Sequence, residues 1–246
     1  GVTGPGGMNF DDSTWRTVDL PHDYLTETEF SSDNLISHGY KTRDNAWYRK
    51  RFSLPAGCEN KRVLLRFDGI AGNATIYLNG CLLHHNYSAY NTFEIDISDL
   101  VYRNKENVLA VYVNTQEFEG WWYQGGGIYR DVHLVITDPV AIDLWGVYAP
   151  SRKIGKDLWQ IDFETTVVNT DYTLRQITVE SHVLDGAGNC VASAKTQGSI
   201  PHRDRKTLHY SCTVKAPLLW DCEMPNLYTV KTLLKCDGRE LDENLT

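Results

Sequence analysis

Ala74-Thr75-Ile76-Tyr77-Leu78-Asn79-Gly80-Cys81-Leu82-Leu83 decides the fold class. Ile76 to Leu78 and Cys81 to Leu83 are short runs of strand-forming residues, and the Asn-Gly pair between them supplies the two positive-φ positions of a tight hairpin turn. The same punctuation recurs outward from this hairpin. Val63 to Phe67, Phe93 to Ile97, Val108 to Val113 and Val132 to Ile136 are further β-rich runs, with turn residues such as Asp68-Gly69 between them. No long amphipathic helix pattern competes, so runs at this spacing predict an all-β sandwich.

Asp138-Pro139 closes the first set, because proline cannot continue a central strand. The pattern then restarts. Trp159 to Glu164 alternates as a half-buried strand, and Ile177 to Leu184 and Cys190 to Ala194 flank an Asp185-Gly-Ala-Gly-Asn189 turn. Thr207 to Val214 and Tyr228 to Lys235 supply two more strands. Two domains are therefore expected, 1–138 and 139–246, the second the size of one immunoglobulin-like sandwich. The last hairpin has just turned at Asp237-Gly238 when the sequence stops, which reads as a cut end.

Composition excludes several function classes. In 246 residues, 24 Lys plus Arg face 32 Asp plus Glu, a net charge of −8, and no basic cluster exceeds Arg49-Lys50-Arg51. A nucleic-acid partner is not expected. Apolar runs are only a few residues long, which excludes a transmembrane helix, and Gly1 to Gly7 has no hydrophobic stretch of a signal peptide. The compartment stays open. Cysteines 58, 81, 190, 212, 222 and 236 lack the spacing of a zinc site, so no metal or other cofactor is expected. Buried free thiols are the expectation; a disulfide such as 190 to 212 would need an oxidising compartment.

Several ordered stretches resemble the glycoside hydrolases of the β-galactosidase and β-glucuronidase type, family 2. They are Phe10-Asp-Asp-Ser-Thr-Trp-Arg16, Leu20-Pro-His-Asp-Tyr24, Ala46-Trp-Tyr-Arg-Lys-Arg-Phe52, Arg66-Phe-Asp-Gly-Ile70, Ala74 to Gly80, and Gly125-Gly-Gly-Ile-Tyr-Arg-Asp-Val132. Leu219-Trp220 with Pro225-Asn-Leu-Tyr228 adds a second-domain motif. The resemblance implies a galactose-binding-like jelly roll followed by an immunoglobulin-like sandwich, which in the family precede a (β/α)8 barrel holding the catalytic carboxylates. A barrel takes ~250 residues of its own. The family's acid/base is a Glu after Asn, and no Asn-Glu pair occurs here, so no catalytic residue is expected in this chain. A fragment of a larger enzyme is expected, its start inside the jelly roll, with a carbohydrate such as a β-galactoside and the barrel of the same protein as partners. A standalone carbohydrate-binding module or lectin is the alternative, and a purely structural adhesion sandwich a third.

The richest segment is Glu117-Phe-Glu-Gly-Trp-Trp-Tyr-Gln-Gly-Gly-Gly-Ile-Tyr-Arg130. Three consecutive aromatics cannot all face one core from a regular strand. At least one ring should meet a cleft or a neighbouring domain, and Trp suits the apolar face of a pyranose. In the resembling family this loop reaches toward the active site, which makes Glu119, Trp121, Trp122 and Tyr123 candidate sugar contacts, with Asn45 a further candidate. Trp121 stands where better-known members carry a charged sugar-contacting residue. His22-Asp23 reads as a turn held by its own side chains, Trp47 to Lys50 as strand core with an outward basic pair, and Arg130 as a structural ion-pair partner.

Overall fold

The computed structural model describes residues 3–116 and 123–246. Its chain forms two compact units, Gly1–Ile136 and Thr137–Thr246. The structure is all-β. Its helices, among the described residues, are the single 3-10 turns Tyr24–Glu27 and Ile36–His38, and none is long and apolar enough to cross a membrane.

The first unit is built from β1 (Ala46–Phe52), β2 (Arg62–Phe67), β3 (Asn73–Leu78), β4 (Cys81–Asn86), β5 (Phe93–Asp96), β6 (Asn107–Asn114) and β7 (Val132–Thr137). They form one sheet in the order β1-β6-β3-β4 and a second in the order β5-β2-β7. The expected hairpin is present: Asn79 and Gly80 have φ of 52° and 80°, and Leu78 pairs with Cys81. Asn79 also ties the turn to β6, accepting from Val108 N at 2.9 Å and donating to Asn107 Oδ1 at 2.9 Å. Asp68-Gly69, by contrast, carries the chain from one sheet to the other. Val63, Leu65 and Phe67 of β2 pack with Ile76, Leu78, Leu109, Val111 and Val113 from the facing sheet. Each fully buried side chain of this kind contributes ~1.5–3 kcal/mol.

The second unit holds β8 (Val140–Tyr148), β9 (Ser151–Lys153), β10 (Leu158–Asn169), β11 (Arg175–Leu184), β12 (Cys190–Ile200), β13 (Asp204–Lys215), β14 (Thr229–Cys236) and β15 (Arg239–Leu245). One sheet runs β13-β10-β8, with β9 also on β10, and the other β12-β11-β14-β15. Phe163 stacks on Tyr210 at 5.0 Å in its core. A polar link crosses that core. Tyr210 Oη lies 2.8 Å from Thr165 Oγ1 on its own sheet and 2.7 Å from Ser181 Oγ on the other, which in turn lies 2.7 Å from Thr232 Oγ1.

Two expectations need correction. Arg49 does not point into solvent: only 1% of its side chain is exposed. The segment before β1 folds over it, so that Arg49 donates to Asp12 and to the carbonyls of Pro5 and Gly7 and lies against the Phe10 ring. Lys50 is exposed as expected. All six cysteines are free, but only Cys58 and Cys236 are buried, while Cys81, Cys190 and Cys222 are exposed. The last two lie beside turns, where no layer covers them.

Candidate functional site

Leu20-Pro-His-Asp-Tyr24 is the anchor of the site, and Asp23 is its pivot. Asp23 has extended backbone and caps the following 3-10 turn, its Oδ1 accepting from Leu25 N at 3.0 Å, the role for which short carboxylates are preferred. The same Oδ1 accepts from Gly126 N at 3.0 Å, and Oδ2 accepts from Tyr123 Oη at 2.8 Å. One carboxylate thereby fixes the entry to a helical turn and the far end of the aromatic loop.

The glycines explain how the two segments come so close. His22 N donates to Ile128 O at 2.8 Å and Tyr24 N to Gly126 O at 2.9 Å, zipping residues 22–24 to residues 126–128. Gly127 has φ of +122°, and a Cβ there would lie 2.6 Å from His22 O. At Gly125, φ +73°, a Cβ would lie 2.9 Å from Asp23 Oδ2. Only glycine fits such a backbone at such a distance.

His22 is held rather than poised. Its Nδ1 lies 2.8 Å from Tyr48 Oη and its Nε2 3.1 Å from Glu27 Oε1, and Glu27 pairs with Arg16. The Arg16 and His22 hydrogen bonds keep the Glu27 carboxyl below its ordinary range. Burial pushes the Tyr48 hydroxyl up, so it gains no acidity from its histidine. This is the turn expected for His22-Asp23, with Tyr48 and Glu27 as partners that the sequence did not reveal.

Tyr24 joins the remaining pieces. Its hydroxyl donates to Asp44 O at 2.5 Å, Thr115 Oγ1 donates to the same carbonyl at 2.6 Å, and the two hydroxyls are 3.0 Å apart. Burial raises the Tyr24 pKa to about 12, so the hydroxyl remains a donor. Asp44 precedes Asn45, and Thr115 lies just before the aromatic loop that Tyr123 ends. Of the sequence candidates, Tyr123 is bonded by Asp23, and Asn45 follows the residue whose carbonyl Tyr24 bonds. Tyr123 is 44% exposed, and burial of its hydroxyl, followed by the Asp23 hydrogen bond, raises its pKa. Asn45 Oδ1 and Gln124 Nε2 are buried, with no hydrogen-bond partner among the described residues. Gln124 Oε1 accepts from Arg43 at 2.5 Å. Glu119, Trp121 and Trp122 lie outside the described residues.

Arg130 departs from its expected role. It makes no ion pair among the described residues; it donates to Asp68 O at 3.3 Å and lies against Tyr129. Asp68 Oδ2 lies 3.1 Å from His133 Nε2. Asp68, Asp131 and His133 bring one ligand atom each within 4.8 Å of one another, with Asp131 and His133 exposed.

Residues 14–122 match the family described as glycosyl hydrolase 2 galactose-binding domain-like, and residues 144–246 match glycosyl hydrolases family 2. The chain belongs to glycosyl hydrolase family 2. Its jelly roll and immunoglobulin-like sandwich are the N-terminal domains of that family. A β-galactosidase of Bacteroides ovatus is 34% identical over 240 residues, covering 96% of this chain and 28% of the relative. A β-glucuronidase of Formosa agariphila is 28% identical over 262 residues, 96% of this chain and 26% of the relative. Among solved structures, a family 2 glycosyl hydrolase from Bacteroides cellulosilyticus superposes with a TM-score of 0.93 at 29% identity, covering 100% of this chain and 33% of that one. The chain thus spans about a third or less of the length of the family 2 relatives it matches.

Proposed function

We propose that these domains are the non-catalytic part of a longer β-galactosidase-like hydrolase, in which the loop through Glu119, Trp121, Trp122 and Tyr123, together with Asn45, completes the sugar subsite while the two sandwiches support the catalytic barrel. One observation carries this reading. Tyr24 and Thr115 bond the carbonyl of Asp44, the residue before Asn45, while Asp23 accepts from Tyr123, so segments far apart in sequence are tied to the Asp23-Tyr24 pair. Rigid placement of a few polar groups beside aromatic rings is what a sugar subsite needs.

Hydrolysis itself requires two carboxyls, ~5–5.5 Å apart in a retaining enzyme, one protonated and one charged. The proposed reading assigns both to the barrel. The longer polypeptide should hydrolyse nitrophenyl β-galactoside or β-glucuronide, and replacing 119–123 by glycine and serine should abolish that activity while stability falls only by about the 0.5–1.5 kcal/mol of the lost Tyr123–Asp23 bond. Undiminished turnover after the replacement would defeat the subsite assignment. Because part of a subsite must still offset lost translational freedom, the 246-residue chain should bind free galactose or glucuronate no better than millimolar. Micromolar binding by calorimetry would instead mark a carbohydrate-binding module or lectin.

A further inference from the structure

We infer that Cys190 of the immunoglobulin-like domain is a thiol-modification site, at which its sulfur, served by His182 and Glu180, forms a mixed disulfide with small disulfides. The three residues share the outer face of the sheet β12-β11-β14-β15, in a different domain from the proposed sugar subsite. Cys190 Sγ lies 3.7 Å from His182 Nδ1, and His182 Nε2 lies 3.4 Å from Glu180 Oε1. A nucleophile within hydrogen-bond reach of a base, with that base oriented by a third group, is the arrangement that activates a thiol.

A bulge creates this arrangement. Along β12, Ala192 and Ala194 pack on the core, so strict alternation would send residue 190 inward with them. Val183 of β11, however, pairs with Ala192 and Leu184 with Cys190, which leaves Val191 as an extra residue. The extra residue moves Cys190 to the opposite face, where Glu180, His182 and Leu184 of β11 alternate with the buried Ser181 and Val183. The turn that leads into Cys190 is fixed as well, since Asp185 Oδ1 accepts from Ala187 N and Asn189 N, both at 2.9 Å. The thiol so placed is exposed and open to a reagent from solvent. Cys81 and Cys222 are exposed too, but neither has a histidine within hydrogen-bond reach among the described residues.

Glu180 sets the proton on the histidine. Lys235 Nζ donates to Glu180 Oε2 at 3.2 Å and holds the carboxyl below its ordinary range, so the carboxylate is charged. A charged oxygen beside Nε2 favours the neutral tautomer that carries its proton there, which leaves Nδ1 to accept from the thiol. The thiol has a second acceptor in Ala192 O at 3.3 Å, but a carbonyl cannot take its proton. In the exchange, the thiol proton passes to His182 Nδ1 and the sulfur attacks one sulfur of the disulfide. That S–S bond breaks as the new one forms, and the departing thiolate takes the proton from the imidazolium. One thiol and one disulfide become one thiol and one mixed disulfide, with no further oxidant.

The folded 246-residue chain should be treated at neutral pH with hydroxyethyl disulfide, a small uncharged probe, and the site and rate of each adduct read by peptide mass spectrometry. Cys190 should react faster than Cys81 and Cys222 by about tenfold or more. His182→Asn should slow Cys190 by about tenfold or more, and Glu180→Gln severalfold, while the rates at Cys81 and Cys222 stay as they were and so report an intact fold. A wild-type Cys190 that reacts no faster than the other two exposed thiols overturns the proposal without recourse to any variant. It is equally overturned if Cys190 reacts as fast in His182→Asn as in the wild type.

Discussion

Gly127 shows how a single missing side chain sets the site, because its backbone is both left-handed and pressed on His22 O, with Ala71 N donating to its carbonyl at 2.8 Å from the other side. Gly127→Ala should therefore destabilise the first domain by about 2–4 kcal/mol, from positive φ and steric conflict together. Thermal unfolding checks it, and a change under 1 kcal/mol would mean that the ribbon 125–127 gives way easily. Tyr123→Phe is the milder change. Asp23 keeps its two backbone donors, so stability should fall by only about 0.5–1.5 kcal/mol, while kcat/KM of the longer enzyme falls more than its stability does. A rise in exchange of the Gly126 amide would accompany it. At this scale the sequence was only partly legible: the clustered aromatics and glycines announce a special loop, but nothing in the spelling of His22-Asp23 says that residue 123 will be its partner. Arg49 fails for a similar reason. Alternation places it on the outer face of the sheet, and alternation is blind to a segment 37 residues earlier, at Asp12, that covers the face.

Elements were read best where turn chemistry is explicit. Asn79-Gly80 and Asp185 to Asn189 connect the paired strands they were expected to connect, and the runs from Val63 to Ile136 fall on strands of the first domain, with Ile97 just beyond the end of β5. β8 went unread, since Trp145 has φ of +54° and the pairing of β8 with β10 shifts register between Thr165 and Val167. A bulge moves later side chains to the opposite face and erases the period of two. The Tyr210 link was equally hidden, because one tyrosine, one serine and two threonines on four strands look like surface residues until the sheets stack. Tyr210→Phe should cost about 1–3 kcal/mol, as it leaves buried hydroxyls of Thr165 and Ser181 short of a partner. Adding Thr165→Val, which removes the hydroxyl left without Tyr210, should recover part of the loss; a neutral single variant would refute the cause. The β2–β5 pair makes a pH-dependent contribution. Burial pushes the Asp96 carboxyl up, but hydrogen bonds from Ser98 and Arg62 outweigh it and hold the pKa below 3.8. A depressed carboxylate stabilises above its unfolded pKa and loses that contribution as pH falls through the folded value. The melting-temperature gap between wild type and Asp96→Asn should thus be widest near neutrality and close as pH drops below about 4. A gap constant down to pH 2.5 would exclude this origin.

Across the whole molecule, ordered motifs spread from Phe10 to Tyr228 identify the family, while the chemistry of that family depends on a particular geometry of two carboxyls. Glycosidases separate the pKa values of two facing carboxyls by burying one of them. Sandwich strands instead alternate their carboxylates outward, and the carboxylates gathered here are paired with cations: Asp12 with Arg49, Glu27 with Arg16, Glu94 with Arg66 and Glu180 with Lys235. Asp68 and Asp131 come within 4.8 Å of each other and of His133, with Asp131 open to solvent. The purified 246-residue chain should therefore show no turnover of nitrophenyl β-galactoside, β-glucuronide or β-mannoside above the uncatalysed rate. Asp68→Asn and Asp131→Asn should change nothing in that assay, and in the longer polypeptide they should leave kcat within about twofold. Turnover by the short chain that either substitution abolished would place a catalytic carboxylate inside the sandwich and overturn the assignment of both to the barrel.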